Sequence, residues 1–214
     1  MDEQLTYRNA VPSDIQQVPE IFLDAFPESV RHYVGFIPKA DILRDIFGIC
    51  LEIEPDSFFV ALIDGRVVGY ILAPADFPRM MRLFVWKGYL LKMGWRWITG
   101  RYGIGLRPLL ISARNWIAIW RETRKQELNA KARILSIAVH PDFQSRGIGT
   151  ELLRIALERL RSAGADKVRL EVRPDNLAAI HVYEKLGFEI KGKTRDTQGD
   201  WLIMLKDFQS TAEN

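Results

Sequence analysis

The chain holds one cysteine in 214 residues, Cys50, and three scattered histidines, His32, His140 and His181. A lone cysteine excludes an internal disulfide and any cysteine-built metal site, and the histidines form no ligand cluster, so no metal is expected. Cys50 falls on a helical pattern, where a buried small hydrophobe is its expected role. The first residues, Met1-Asp2-Glu3-Gln4, are acidic and precede no apolar signal region, so a cytoplasmic location is expected. Acids are almost missing from one stretch. Between Phe77 and Arg133 there are 13 Lys and Arg against only Glu122 and Glu127, a local balance of +11 within a chain whose net charge is +3.

The remainder therefore carries −8, and the basic stretch also holds five of the six tryptophans, Trp86, Trp95, Trp97, Trp116 and Trp120. It is a different object from its flanks. Helical spacing sets Arg107, Arg114, Arg121 and Lys125 on one stripe and Leu109, Ala113, Trp116 and Trp120 opposite, and an earlier helix is predicted over 80–98. A basic residue interrupts each run short of the roughly 18–20 apolar residues that span a bilayer. Such helices suit an anionic membrane surface, packing on the domain or on a second copy of it, or single-stranded nucleic acid, which no recognised motif supports.

Outside this stretch, 27% charged and 48% hydrophobic residues are ordinary for one globular domain. Residues 5–10 read as a strand, and Pro12-Ser13-Asp14 then introduces a helix with Ile15, Val18, Ile21, Phe22 and Phe26. A loop is predicted over 27–38 and a helix over 40–51. Two apolar runs, 57–63 and 66–73, flank Asp64-Gly65 and predict a hairpin. Further strands are predicted over 134–139, 167–172, 188–193 and 201–205, with a helix over 177–186 that closes on Gly187.

The strand over 134–139 leads into His140-Pro141-Asp142-Phe143-Gln144-Ser145-Arg146-Gly147-Ile148-Gly149-Thr150, and Leu152, Leu153, Ala156, Leu157 and Leu160 then recur at helical spacing. A strand, a glycine turn and a helix start place unpaired amides where an anion such as a pyrophosphate would sit. The turn is neither the G-x-G-x-x-G fingerprint nor a P-loop. Gln144-Ser145-Arg146-Gly147-Ile148-Gly149 instead resembles the Q/R-x-x-G-x-G/A signature of the GNAT acyl-CoA-dependent N-acetyltransferases. Later residues carry the likeness on: Leu170-Glu171-Val172-Arg173, Asn176, and Ala179-Ile180-His181-Val182-Tyr183-Glu184-Lys185-Leu186-Gly187-Phe188 resemble the ribosomal-protein N-terminal-alanine acetyltransferases of that superfamily.

The resemblance implies an α/β GNAT fold over 4–208, interrupted by a basic helical insertion over 77–133 and followed by a tail over 209–214. Its mixed, mostly antiparallel sheet of about six to seven strands, flanked by helices, would splay near Val139 and Val172 at the acyl-CoA site, with the insertion between strands 3 and 4. It implies acetyl-CoA as the cosubstrate, direct transfer to a primary amine, Tyr183 as the acid that protonates the departing thiolate and Glu171 as the base. Ile137, Ala138 and Val139 would pair with the pantetheine arm, Gln144, Ser145, Arg146, Gly147, Ile148, Gly149 and Thr150 would hold the phosphates, and Asn176 would bond the arm or the acceptor. Arg31, His32 and Tyr33 are candidate acceptor contacts, and His140 receives no role. The alternatives are a CoA-binding module without turnover, and an acyltransferase for a lipid-linked or amino-sugar acceptor at the membrane surface.

Overall fold

The computed structural model describes residues 4–34, 40–102 and 130–209. Strand β1 (Leu5–Asn9) pairs antiparallel with β2 (Phe58–Ile63), which turns through Asp64 and Gly65 into β3 (Arg66–Leu72). Both turn residues have positive φ, 50° and 80°, as the Asp-Gly pair predicts. The unbroken apolar run of β2 follows from burial on both faces. Phe58, Val60 and Leu62 join a core cluster with helices α1 (Val18–Ala25) and α3 (Asp41–Ile53), while Phe59, Ala61 and Ile63 join a second cluster on the other face.

Between α1 and α3 the structure corrects an expectation. Pro27–Val34 forms a helix, α2, rather than a loop, and residues 35–39 lie outside the described residues. Proline sits comfortably at the first helical position, and Glu28 and Arg31-His32 complement the two ends of the helix dipole. The start of α1 differs too. Asp14 is buried and occupied by Arg8 at 2.6 Å and the Val11 amide at 2.8 Å, so a short 3-10 turn over Asp14–Gln16 precedes the helix.

The basic insertion begins as two helices where one was expected, α4 (Phe77–Trp86) and α5 (Tyr89–Ile98). Gly88, at φ 74°, breaks the helix between them. The second amphipathic stripe, Arg107 to Lys125, lies outside the described residues. Helix α5 docks on α3 through polar groups: Arg96 and Tyr102 both donate to Asp45, the tyrosine at 2.6 Å, and Tyr89 donates to Glu52. Burial opposes ionisation of Asp45, but the hydrogen bonds from Arg96 and Tyr102 and the charges of Arg96 and Lys92 outweigh it and hold the carboxyl below its ordinary range.

The strand predicted over 134–139 is broken. Just before it, β4 (Ala132–Arg133) runs parallel to β6 (Lys167–Val172), whereas its own later residues form β5 (Ser136–Val139), antiparallel to β3. The switch occurs at two residues, because the Ile134 amide donates to Arg169 and the Leu135 amide donates to Leu72. The described strands thus form two four-stranded sheets, β1-β2-β3-β5 and β4-β6-β8-β7, with β7 (Glu189–Asp196) and β8 (Gly199–Asp207) as the final hairpin. The two sheets separate where β5 and β6 would otherwise be neighbours. Helix α6 (Ile148–Ser162) spans the divide: Leu152, Leu153, Ala156, Leu157 and Leu160 share one core with residues of both sheets and of α7 (Leu177–Lys185).

Candidate functional site

Among the described strands β5 has an unpaired edge. The His140 amide donates to Val68, so His140, Ala138 and Ser136 form the hydrogen-bonded pairs with β3. Alternation then turns the amides and carbonyls of Ile137 and Val139 outward, into the gap between the sheets. Among the described strands β6 pairs with β4 and β8, and beyond Arg169 its gap-side edge has no hydrogen-bonded strand neighbour. A slot lined by free backbone groups on one side accepts an extended, amide-bearing ligand as an added strand. The Val139 carbonyl is held in the meantime by the Gln144 side chain, which donates to it at 3.1 Å.

The turn after β5 carries the second element. Ser145 and Gly147 both take positive φ, 62° and 79°, and among the described residues no side chain caps α6, so its first amides, from Ile148 to Thr150, are left without an intrahelical partner. A helix of 15 residues directs its positive end toward the mouth of the slot. Arg146 lies over the Phe143 ring at 5.1 Å, which holds its charge at the same turn. His140, given no role from the sequence, is a structural cap: its Nδ1 accepts from the Asp142 amide at 3.3 Å, and its ring meets Phe143 edge-on.

The two glycines of the turn differ. Gly147 occupies a left-handed conformation, whereas Gly149 is helical and a Cβ there would meet only a Val139 methyl at 3.6 Å. Gly147→Ala is therefore expected to cost about 1–2 kcal/mol of stability. Gly149→Ala should leave the melting temperature unchanged or raise it, yet raise the KM for the donor about tenfold if phosphates seat on these amides. Thermal melts beside donor KM values check both; equal KM for Gly149→Ala and wild type removes the close approach.

Helix α7 enters at the same end. Asn176 caps it, its side chain accepting from the Ala179 amide at 3.2 Å, which leaves the Nδ2 donors for a ligand. About two turns of helix further, Tyr183 packs in the shared core beside Phe188 with 9% of its surface exposed. Burial pushes its hydroxyl up to about 12, so the group is protonated throughout the physiological range.

Glu171 stands on the opposite face of β6. Leu170 and Val172 belong to the core that holds Tyr183, so alternation turns Glu171 away from it. Its carboxylate accepts from Arg169 Nε at 2.7 Å and lies 3.9 Å from the Arg133 guanidinium. Both arginines are buried, and burial together with the Arg169 charge lowers the Arg133 guanidinium from its usual value. Arg133 also rests over the Phe77 ring at 4.8 Å, and its Nε has no hydrogen-bond partner among the described residues.

The sequence reading gave no role to Arg173, which organises the β7–β8 turn. Arg173 donates to the carbonyls of Gln198 and Asp200, both at 3.3 Å, and stacks on Trp201 at 5.1 Å. The Arg-Pro-Asp-Asn run after an apolar strand was the only signal available. Thr197 in that turn then meets His32 of α2, with Oγ1 and Nε2 3.1 Å apart. Helix α2 and the hairpin thereby form one wall at the carboxyl end of β6. Arg31 is exposed, and nothing of the Tyr33 side chain is described. Cys50 is buried in the α1–α3 core, its thiol pushed up to about 11 by burial, and among the described residues no group of acids, histidines or cysteine could hold a metal.

Residues 15–188 match the family model described as Acetyltransferase (GNAT) family. An uncharacterized N-acetyltransferase of Methanocaldococcus jannaschii is 27% identical over 94% of this chain, which spans 66% of that protein's length. An N-alpha-acetyltransferase of Sulfurisphaera tokodaii is 30% identical over 85% of this chain and 78% of its own. A shorter stretch of 58 residues, 27% of this chain and 39% of the relative, is 48% identical to the ribosomal protein bS18-alanine N-acetyltransferase of Salmonella typhimurium. Among solved structures, a putative acetyltransferase from Salmonella typhimurium with its cofactor acetyl-CoA shares the fold at TM-score 0.60 and 17% identity, covering 95% of this chain and 93% of that one.

Proposed function

The chain belongs to the acetyltransferase (GNAT) family and is an acetyl-CoA-dependent N-acetyltransferase, and we propose that its acceptor is a protein α-amine. The observation that carries the donor half is the pairing of an open β5 edge with an uncapped α6 N-terminus at one end of the same gap. Backbone groups of Ile137 and Val139 would hold the pantetheine arm, and the amides from Gly147 to Thr150 with Arg146 would hold the phosphates. Gln144, now on the Val139 carbonyl, and Ser145 shape that turn, Ala138 anchors β5 to β3, and Asn176 offers its free amide hydrogens to the arm or the acceptor.

The donor supplies an activated acetyl group as a thioester. In the transfer the C–S bond breaks and an amide C–N bond forms, so one proton must leave the amine and one must reach the sulfur. Glu171 takes the first and Tyr183 gives the second. Glu171 lies on the face of β6 away from the core that holds Tyr183, which keeps the base and the acid apart. The outward N–H of Ile137 or Val139 would polarise the thioester carbonyl.

Amine chemistry favours the α-amine reading. With a pKa near 8, an α-amine is about one-quarter free base at pH 7.5, whereas a lysine amine near 10.4 is about one part in a thousand. A single carboxylate is adequate help for the former. The S. tokodaii relative is named for N-alpha-acetyl transfer, and the wall of α2 and the β7–β8 turn, with Arg31, His32 and Tyr33 on α2, flanks the entry an N-terminus would use.

Thiol release from acetyl-CoA, measured with peptides bearing a free N-terminal Ala or Ser, tests the proposal against N-blocked lysine peptides, amino sugars and small amines. Turnover of the free-N-terminal peptides alone is the expected result. Preference for a lysine side chain or an amino sugar would overturn the acceptor class, and no thiol release with any amine would favour a CoA-binding module.

A further inference from the structure

Helix α5 is amphipathic in the reverse sense from an ordinary surface helix. Its polar residues Tyr89 and Arg96, with Tyr102 just beyond, face the protein and are tied to Glu52 and Asp45 of α3. Its apolar residues face outward: Leu91, Trp95 and Ile98, spaced i, i+4 and i+7, are 80%, 68% and 83% exposed. Leu90 and, from the end of α4, Val85 and the 88% exposed Trp86 are large apolar side chains left exposed close by in the chain. A contiguous exposed apolar patch of this kind marks an interaction surface.

Charge selects the partner. From Phe77 to Tyr102 there are six basic residues, Arg79, Arg82, Lys87, Lys92, Arg96 and Arg101, and no acid. Only Arg96 and Lys87 lie within ion-pair distance of a described acid. A second copy of the chain would bring the same positive field against itself in a two-fold contact. An anionic bilayer offers the complement: hydrocarbon for the leucines and isoleucine, the headgroup zone for Trp86 and Trp95, and phosphates for Arg79, Arg82 and Lys92. No described helix is long and apolar enough to cross a membrane, so the contact is in the plane of the surface.

We propose that the α4–α5 segment is a peripheral membrane-binding surface that docks the protein on anionic phospholipid through Trp86, Leu91, Trp95 and Ile98 and the surrounding cations. It brings the catalytic domain to acceptors presented at a membrane.

Co-sedimentation of the full chain with vesicles of phosphatidylcholine alone, and of phosphatidylcholine with phosphatidylglycerol at 70:30, tests the proposal. Binding to the anionic vesicles is expected, falling about tenfold between low and high salt. Leu91→Ser, Trp95→Ser and Ile98→Ser together should lower the partition coefficient about 100-fold while the melting temperature and acetyl-CoA affinity stay at wild-type values. Arg82→Gln with Lys92→Gln should weaken binding and flatten its salt dependence. Absence of binding to the anionic vesicles overturns the proposal. A melting temperature lowered by the triple substitution would show that the patch packs within the protein, and a dimer in light scattering that the triple variant dissolves would show a second copy there; either result also overturns it.

Discussion

Replacing Tyr183 by phenylalanine is expected to lower kcat about 100-fold or more and to leave the affinity for acetyl-CoA unchanged. General acid catalysis by a positioned side chain contributes about 10²–10⁴ in rate, and only the hydroxyl oxygen is removed. The ring sits in the shared core against Phe188, so phenylalanine keeps its packing. No described group accepts or donates a hydrogen bond to that hydroxyl, so its loss leaves no orphaned partner to destabilise the fold. The pH profile adds a second reading. Because burial holds the hydroxyl near 12, it remains protonated through the assay range, and kcat should show no alkaline fall below about pH 10 that belongs to this group. Stopped-flow or steady-state thiol release for kcat, beside calorimetry for the donor, measures both. A phenylalanine variant with unchanged kcat would assign the proton to solvent or another group.

Parts of the fold around the candidate site are legible in the sequence, for physical reasons specific to each residue. The turn around Gly147 was legible because a left-handed residue before a helix calls for glycine, and the helix after it repeats leucines at a spacing that nothing else explains. The hairpin at Asp64-Gly65 was legible on the same grounds. The division of the strand over 134–139 between two sheets was not. The apolar run from Ile134 to Val139 reads as one strand, and the switch at Ile134 and Leu135 depends on which edge each amide finds, a tertiary fact without local signature. Helix α2 was missed because two prolines and a mixed run between them read as loop, while docking under the β7–β8 turn favours the helix. Arg173 was overlooked since a single arginine after a strand is usually solvated, and its role as a strut appears only once the hairpin has folded back over it. The partners of Glu171 were hidden for a related reason. Arg169 lies two residues away on the same face, but Arg133 arrives from β4 across 38 positions of chain.

Those partners shape the second large effect, that of Glu171→Gln. The carboxylate compensates two guanidiniums that are almost fully buried, so its neutralisation leaves positive charge in a poorly solvated place. Removing one partner of a fully buried pair costs about 3–5 kcal/mol, and the 28% exposure of the Glu171 side chain reduces this to about 2 kcal/mol. For a domain of this size that is a fall in melting temperature of roughly 4–8 °C. A base contributes differently from a counterion. If Glu171 also accepts the amine proton, the loss in kcat/KM is greatest near pH 6, where almost all acceptor is protonated, and shrinks toward the α-amine pKa near 8. If it serves only to hold Arg169 and Arg133, the rate falls by one factor at every pH. Arg169→Met, which removes the closest cation but keeps the carboxylate, separates the two further. The base reading expects its pH–rate profile to keep the wild-type shape, whereas the Gln variant acquires a steeper acid limb. A Gln variant whose profile runs parallel to wild type from pH 6 to 9 would leave Glu171 as a structural counterion and pass the amine proton to water in the gap between the sheets.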